Sequence, residues 1–597
     1  MLLASACTVE KASESVQPNI ILILTDDQGF GDIGFHGNPD IITPNLDTLA
    51  SESIRFSQFY VSPVCAPTRA SLMTGKYAMS TGVYEVHNGG CIMDNEEITL
   101  AEVLQAAGYY TSIFGKWHLG DNYPYRPEDQ GFQDVFIHMA GGIGQPGDHW
   151  NNYHDNRLLF DQRKHSYFDP VVYLNGEFVK TQGYCTDVFT NAAIDYIEKH
   201  QEHPFFIYLA FNTPHDPYQV PQKYLDLYDS LIIHPDNYSV TGQRFSSMDS
   251  IIRRGDFNDF ETAKRVYAMM TQIDDNVGRL RDKLRELAIE DNTLLIFMSD
   301  NGPQWGYRYN GGLKGAKGTI LEGGTRVPCY WYYPAKGWVN KDVSGPAAHI
   351  DVLPTIANMC NIVLEKDVDG RDLTDDISTG LASQDRYLFN EYCSGYPYTL
   401  KKFWNVSCRR GDYKYVAYDN NKDLREHQLY DISKDPGELN NIASDHPAML
   451  EELKMKTGQW YVRIVEELEK KQLYTVVGSP SQDTVILNRS EWKGSAGRAD
   501  KWHYPDAYGT WDIEVRQVGN FIFLMKQRLP WPSKGELIVE LNGNKVYPEF
   551  ETIDQHHIKF RLSLEPGYYS FGGYMQTIIA NEIYSPDYVF IYRDVPR

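Results

Sequence analysis

Four continuous runs of apolar and β-branched residues constrain this chain more than anything else in it. They are Asn19-Ile20-Ile21-Leu22-Ile23-Leu24, YYTSIFG (109–115), FFIYLAF (205–211) and TLLIFMS (293–299). A strand with one wet face alternates apolar and polar residues. A run without alternation is a strand covered on both faces, as in a parallel sheet flanked by helices. Helical patterns separate the runs, among them ITLAEVLQAAG (98–108) and the long stretch 261–288. This order predicts an α/β sheet with helices on both sides.

At 597 residues the chain exceeds one compact core. Its texture changes past about residue 375. YKYVAY (413–418) and HQLYDIS (427–433) read as antiparallel strands, and a helix is expected through 447–470. From about 475, segments such as GTWDIEVRQVG and HHIKFRLSLEPG alternate with Gly, Asn and Pro turns, which predicts an all-β sandwich. The expected divisions are a leader (1–18), a main α/β domain (19–375), an α+β subdomain (376–474) and an all-β accessory domain (475–597).

Each apolar run ends in a burst of polar residues: Asp26-Asp27, Lys116-Trp117-His118, Asn212 to Asp216, and Asp300-Asn301. Open α/β sheets bind ligands at the carboxyl ends of their strands, so these bursts are expected in one crevice. One Asp-Asp pair is ordinarily a turn or a cap. Two acidic bursts at two strand ends, Asp26, Asp27, Asp300 and Asn301, make an all-oxygen set suited to Ca²⁺ or Mg²⁺. Lys116, His118, His215 and Lys317 beside it describe a site for a tetrahedral oxyanion. Cys65 heads a helix-like run in SPVCAPTRASLMTGK (62–76). A helix start there favours a thiolate or an anion, and a buried structural cysteine is an equally open reading. Arg69 stands four residues after Cys65, whereas a thiol phosphatase loop needs six.

The formal charge of −24 argues against nucleic-acid binding, so any anion site must be a local cluster of basic residues. No run of apolar residues is long enough to span a membrane. The eight cysteines, at 7, 65, 91, 185, 329, 360, 393 and 408, include no C-x-x-C pair and form no disulfide framework, with isolated bridges left open. Small residues before Cys7 and the polar TVEKASESVQ after it resemble the end of a bacterial lipoprotein signal, with Cys7 the lipidation site. An ordinary leader is the plainer reading.

CAPTRASLMTG (65–75) carries the pattern C-x-P-x-R-x-x-x-x-T-G of the formylglycine-dependent, Cys-type sulfatases of the alkaline phosphatase superfamily. DDQGFGDIG (26–34), GYYTSIFGKWHLG (108–120), NTPH (212–215), SDNG (299–302) and KGTILEGGTRVP (317–328) also resemble that family, in its order, and the resemblance covers roughly 19–470. It implies an alkaline-phosphatase-like α/β sandwich with a large mixed, mostly parallel sheet and a smaller antiparallel subdomain, leaving the all-β module outside. It implies that Cys65 becomes formylglycine through a formylglycine-generating or anaerobic sulfatase-maturating enzyme. Asp26, Asp27, Asp300 and Asn301 would bind Ca²⁺, with Mg²⁺ the lesser choice. Arg69 would order the hydrated aldehyde, and Lys116, Lys317 and His215 would contact the sulfate ester. In the implied scheme one hydroxyl of the hydrate attacks sulfur while His215 or a lysine protonates the leaving alcohol. The other hydroxyl, deprotonated through His118, expels sulfate.

The expected substrate is a sulfated oligo- or polysaccharide, with ulvan or carrageenan as candidates, met in the periplasm or at the surface of a Gram-negative bacterium. Candidate subsite segments are 120–130, 147–155 and 304–312, with His149, Trp305 and Arg308 as contacts. Two other readings remain. One is a phosphonate monoester or phosphodiester hydrolase of the same superfamily. The other is a catalytically dead glycan-binding homologue, which requires a missing core residue, and none is missing.

Overall fold

The first apolar run becomes a central strand of an eleven-stranded sheet. In this computed structural model, residues 17–594 are described apart from 146, 153–165, 233–258, 305–307, 394–404, 420–424, 495–506 and 579–581. The sheet strands are β1 Asn19–Thr25, β2 Ile54–Tyr60, β3 Tyr110–Lys116, β4 Asp134–His138, β5 Val171–Leu174, β6 Glu177–Lys180, β7 Phe205–Ala210, β8 Thr293–Ser299, β9 Arg326–Val327, β10 Cys329–Tyr332 and β11 Lys341–Ala348. Their order is β11-β2-β10-β8-β1-β7-β3-β4-β5-β6, with β9 on β2. The block β8-β1-β7-β3-β4 is parallel throughout. Antiparallel pairing enters only outside it, at β10, β9, β5 and β6.

The absence of alternation in the apolar runs has its cause in two covering layers. Ile20, Leu22 and Leu24 face one core, and Ile21 and Ile23 face the other; β8 divides its residues the same way. Helices Cys65–Thr74, Leu100–Ala106 and Val352–Met359 cover the first face. Helices Pro44–Glu52, Cys185–His200 and Asp259–Glu286 cover the second. The parallel register levels the strand ends: Thr25 pairs with Ser299, Leu24 with Ala210, and Ala210 with Gly115. Gly115, at φ 112°, lets β3 pass where a Cβ would stand 1.9 Å from the Ala210 carbonyl. Every polar burst therefore starts at the same height.

Strands Tyr387–Glu391, Val406–Arg410, Tyr413–Asp419 and Arg425–Asp431 form an antiparallel sheet packed on helix Pro447–Glu469, where Phe389 stacks on Trp460 at 4.7 Å. From Thr475 onward two further sheets, of seven and five strands, enclose their own core of Trp492, Trp511, Phe521, Phe523, Phe560 and Phe571. Strand Gly509–Val515 alternates buried and half-buried residues, as a strand with one covered face must.

This module is docked on the α/β body, which corrects two sequence expectations. Segments 120–130 and 147–152, offered above as sugar subsites, contribute to the seam. The Tyr123 amide donates to Gln482 Oε1 at 2.8 Å, the Ile486 amide to Asn122 Oδ1 at 2.9 Å, and the Tyr125 hydroxyl to the Tyr474 carbonyl at 3.0 Å. Trp150 meets Phe590 edge-on at 5.4 Å and carries Lys526 Nζ 4.0 Å above its ring. Among the described residues no helix is long and apolar enough to cross a membrane. The seven described cysteines are unpaired.

Candidate active site

Three carboxylates and three side-chain cations meet where the parallel strands end. Lys116 Nζ lies 2.7 Å from Asp26 Oδ2, and Lys317 Nζ lies 2.8 Å from Asp27 Oδ1. Arg69 directs Nη2 and Nε to Asp300 Oδ2 at 2.8 and 3.2 Å, and its Nη1 donates to the Lys116 carbonyl at 3.0 Å. Asn301 Nδ2 donates to Asp27 Oδ1 at 2.7 Å, and the Asp27 amide donates to Asp300 Oδ1 at 3.2 Å. Asp26, Asp27, Asp300 and Asn301 are buried to 1% exposure or less. Burial opposes ionisation of Asp26, yet Lys116, His215 and Arg69 hold its carboxyl well below the usual range. Burial and the charge of Asp26 push Asp300 upward.

Ligand atoms of Asp26, Asp27 and His215 converge within 4.8 Å, as do those of Asp26, Cys65 and Asp300. Asp26 Oδ1 and Asn301 Oδ1 are buried without a hydrogen-bond partner. Two orphaned oxygens in an oxygen-rich cluster fit a hard divalent cation, because unsatisfied buried acceptors are costly unless something binds them.

Cys65 opens helix Cys65–Thr74, all ten residues of which are buried, and its Sγ sits 3.4 Å from His118 Nδ1. His118 Nε2 lies 2.8 Å from the Val86 carbonyl, an obligate acceptor. Nε2 therefore carries the proton and Nδ1 offers its lone pair to Cys65. Burial, reinforced by Lys116, keeps His118 well below its ordinary pKa and neutral. His118 and Asp27 hold φ values of 63° and 67°, a left-handed conformation that costs a non-glycine residue about 1 kcal/mol or more. On the opposite side, His215 Nδ1 bonds the Asp216 carbonyl and Oδ1 at 2.7 Å each, while Nε2 faces Asp27 Oδ2 at 3.6 Å. Burial and Lys317 work against its protonation, but Asp27, Asp26 and Asp216 prevail and raise it to about 9.

The structure thus brings Asp26, Asp27, Cys65, Arg69, Lys116, His118, His215, Asp300, Asn301 and Lys317 together. Arg308 corrects a sequence expectation. It is buried, bonds Asp32 through Nε at 2.9 Å, and donates from Nη2 to the Asp27 carbonyl at 2.9 Å. It holds the backbone of Asp27, with its guanidinium committed to Asp32 and the Asp27 carbonyl. His149 is buried, its ring tilted against Trp150 at 3.9 Å and against Phe178 at 4.7 Å, and burial and then Lys526 lower it to about 4. Trp305 and Cys7 lie outside the described residues.

Sequence reasoning missed Asp216, Asp32 and the Val86 carbonyl. Asp216 closes the polar burst just after NTPH and Asp32 lies inside DDQGFGDIG, so both stood within quoted stretches. A backbone carbonyl carries no side-chain signal at all.

The family described as Sulfatase matches residues 18–362, and one described as N-sulphoglucosamine sulphohydrolase, C-terminal, matches 316–461. The ulvan-active sulfatase of Formosa agariphila is 29% identical over 488 residues, covering 78% of this chain and 85% of that protein. Arylsulfatase A of Homo sapiens is 31% identical over 491 residues, covering 73% and 86%. The crystal structure of Ps i-CgsB in complex with k-i-k-neocarrahexaose superposes with a TM-score of 0.62 at 27% identity, covering 74% of this chain and 93% of that one.

Proposed function

This chain belongs to the sulfatase family, a sulfate-ester hydrolase by that membership, and on that premise we propose that it releases inorganic sulfate from a sulfated polysaccharide, using formylglycine made from Cys65 and Ca²⁺. The observation that carries the reading is the buried oxygen cluster beside the Cys65–His118 contact, with Asp26 Oδ1 and Asn301 Oδ1 unpartnered. Asp26, Asp27, Asp300 and Asn301 would hold the cation. When present, the cation supplies Lewis-acid stabilisation and the formylglycine hydrate supplies a hydroxyl nucleophile that needs no external water.

The chain's own residues do the rest. Lys116 and Lys317 bind the sulfate oxygens from two sides, as charged donors fixed before the substrate arrives. Arg69 fixes Asp300 with two bonds and so orients a carboxylate beside residue 65. His118 Nδ1 accepts a proton from the group at position 65, because its other nitrogen is committed to Val86. His215 Nε2 donates to the leaving oxygen. Its Nδ1 is held by Asp216, whereas Lys317 is bound to both oxygens of Asp27. This geometry favours His215 over Lys317 as the acid.

An algal or related polymer is the substrate class supported by the ulvan-active relative and the carrageenan-type neighbour. Such polymers are too large to cross a membrane unaided, which goes with a periplasmic or surface location in a Gram-negative bacterium.

The test is sulfate release from defined ulvan and carrageenan oligosaccharides by protein co-expressed with a formylglycine-generating enzyme, with Cys65→Ala protein beside it. Release by the wild type alone is expected. No release, with formylglycine confirmed by peptide mass, would overturn the substrate class, and matched phosphonate and phosphate esters would then be run.

A further inference from the structure

Three backbone segments enclose His118, and all three are tied to one turn of the β module. The first, 84–90, supplies the Val86 carbonyl that bonds His118 Nε2; three residues on, the Gly89 amide donates to the Ser490 carbonyl at 3.4 Å. The second is the chain leaving His118. The Asp121 amide donates to Glu491 Oε1 at 2.8 Å, Asn122 Nδ2 to Glu491 Oε2 at 3.2 Å, and Asn488 Nδ2 to Asp121 Oδ2 at 3.1 Å. The third, 140–145 with Gly147 beyond it, presses on the ring itself. A Cβ on Gly141 would stand 2.9 Å from His118 Nε2, the Ala140 amide donates to Asp121 Oδ2 at 3.0 Å, and Gly147 passes so close to the turn that a Cβ would meet Ser490 Oγ at 2.8 Å.

The turn is rigid from the module's side. The Asn488 carbonyl accepts from Trp511 Nε1 at 2.7 Å, and buried Arg489 donates to the Ser585 and Pro586 carbonyls at 2.8 and 2.9 Å. Glu491 and Asp121 are themselves buried. Glu491 thus accepts two donors from the body where no solvent competes, the condition under which a hydrogen bond fixes position most firmly.

We propose that the turn Asn488–Glu491 is a positioning element for His118, so that the β module is part of the working active site. The module acts through the backbone around His118 and touches no substrate. The inference rests on the proposed function only for its activity assay.

The experiment uses the full chain with Glu491→Ala, Glu491→Gln and, as a seam control away from the turn, Phe590→Ala. Two readouts are taken. One is kcat and KM of matured protein on the substrate found above, or on an aryl sulfate. The other is the rate and pH profile of Cys65 alkylation by iodoacetamide in unmatured protein, read by peptide mass, which depends on His118 Nδ1 and on no substrate. Glu491→Ala is expected to lower kcat about 10- to 100-fold with KM little changed, the scale of a small misplacement of a catalytic group. It is also expected to slow Cys65 alkylation and alter its pH profile. Glu491→Gln keeps the Asp121 amide bond and should recover most of both, while Phe590→Ala lowers Tm and leaves both unchanged. Wild-type kcat and alkylation in soluble Glu491→Ala would overturn the proposal. If that variant does not accumulate, Asn488→Ala carries the same expectations. If no substrate is found, the alkylation series alone decides it.

Discussion

The active site and the body–module seam each bury three carboxylates, and they neutralise them in opposite ways. In the site Asp26, Asp27 and Asp300 lie on Lys116, Lys317 and Arg69. In the seam Asp121, Asp148 and Glu491 take their hydrogen bonds from backbone amides and asparagines: Ala140, Gly144 and Asp121 amides, with Asn122, Asn152 and Asn488 side chains. Cations let a buried acid stay ionised. Amides stabilise it without cancelling its charge, so burial drives proton uptake. Equal burial therefore yields a site in which Asp26 stays ionised and a seam built to hold protons.

The largest expected effect breaks the site alone: Cys65→Ala should lower kcat by about 10³-fold or more, as loss of a nucleophile does, with Tm close to wild type. Next, one isosteric change should give opposite results in the two regions. Asp300→Asn leaves the buried Arg69 guanidinium without its carboxylate and should cost about 3–5 kcal/mol in denaturant unfolding, along with activity. Asp121→Asn should cost about 1 kcal/mol or less, because the seam acid is held by the Ala140 amide and Asn488 and no buried cation among the described residues rests on it. Similar losses in both would show that the two clusters are not electrostatically distinct.

Adding Ca²⁺ should raise Tm, by about 2.7 kcal/mol of stability at a hundredfold excess over Kd, in the wild type and Asp121→Asn but not in Asp300→Asn. An equal rise in all three would place the cation elsewhere.

The smallest effect is a pH slope. Burial raises Glu491 and Asp148 to about 7, above their ordinary values of 4.5 and 3.8. The folded chain then binds more protons than the unfolded one between those values. Their contribution is full below about pH 4 and is lost as pH rises through 7, on the order of a few kcal/mol for each group. The Tm difference between wild type and Glu491→Gln should accordingly shift in the variant's favour from about pH 4.5 to 7.5 and level off above it. A flat difference would mean that Glu491 holds no proton.

The same contrast explains what the sequence disclosed. The sheet was legible because only a doubly covered strand tolerates runs such as NIILIL, and the site because each run stops at charged residues that must share the level strand ends. Asp121, His149 and Arg308 were legible as polar and aromatic loop residues but not in their partners. A loop rich in Asn, Asp, His and Trp presents the same hydrogen bonds and rings to a sugar as to a neighbouring sandwich. Arg308 likewise satisfies Asp32 as readily as it would a substrate, and only the fold says which is near.

The site spans the chain from Asp26 to Lys317, with β8 inserted between β1 and β10. On a ribosome the first carboxylate emerges roughly 15 to 60 s before the last lysine. Until β8 arrives, Asp26 and Asp27 remain solvated and helix Cys65–Thr74 has no finished sheet to lie on. The interval is a built-in delay: any chemistry that needs Cys65 as an extended, reachable segment has it, and completion of the central sheet closes it.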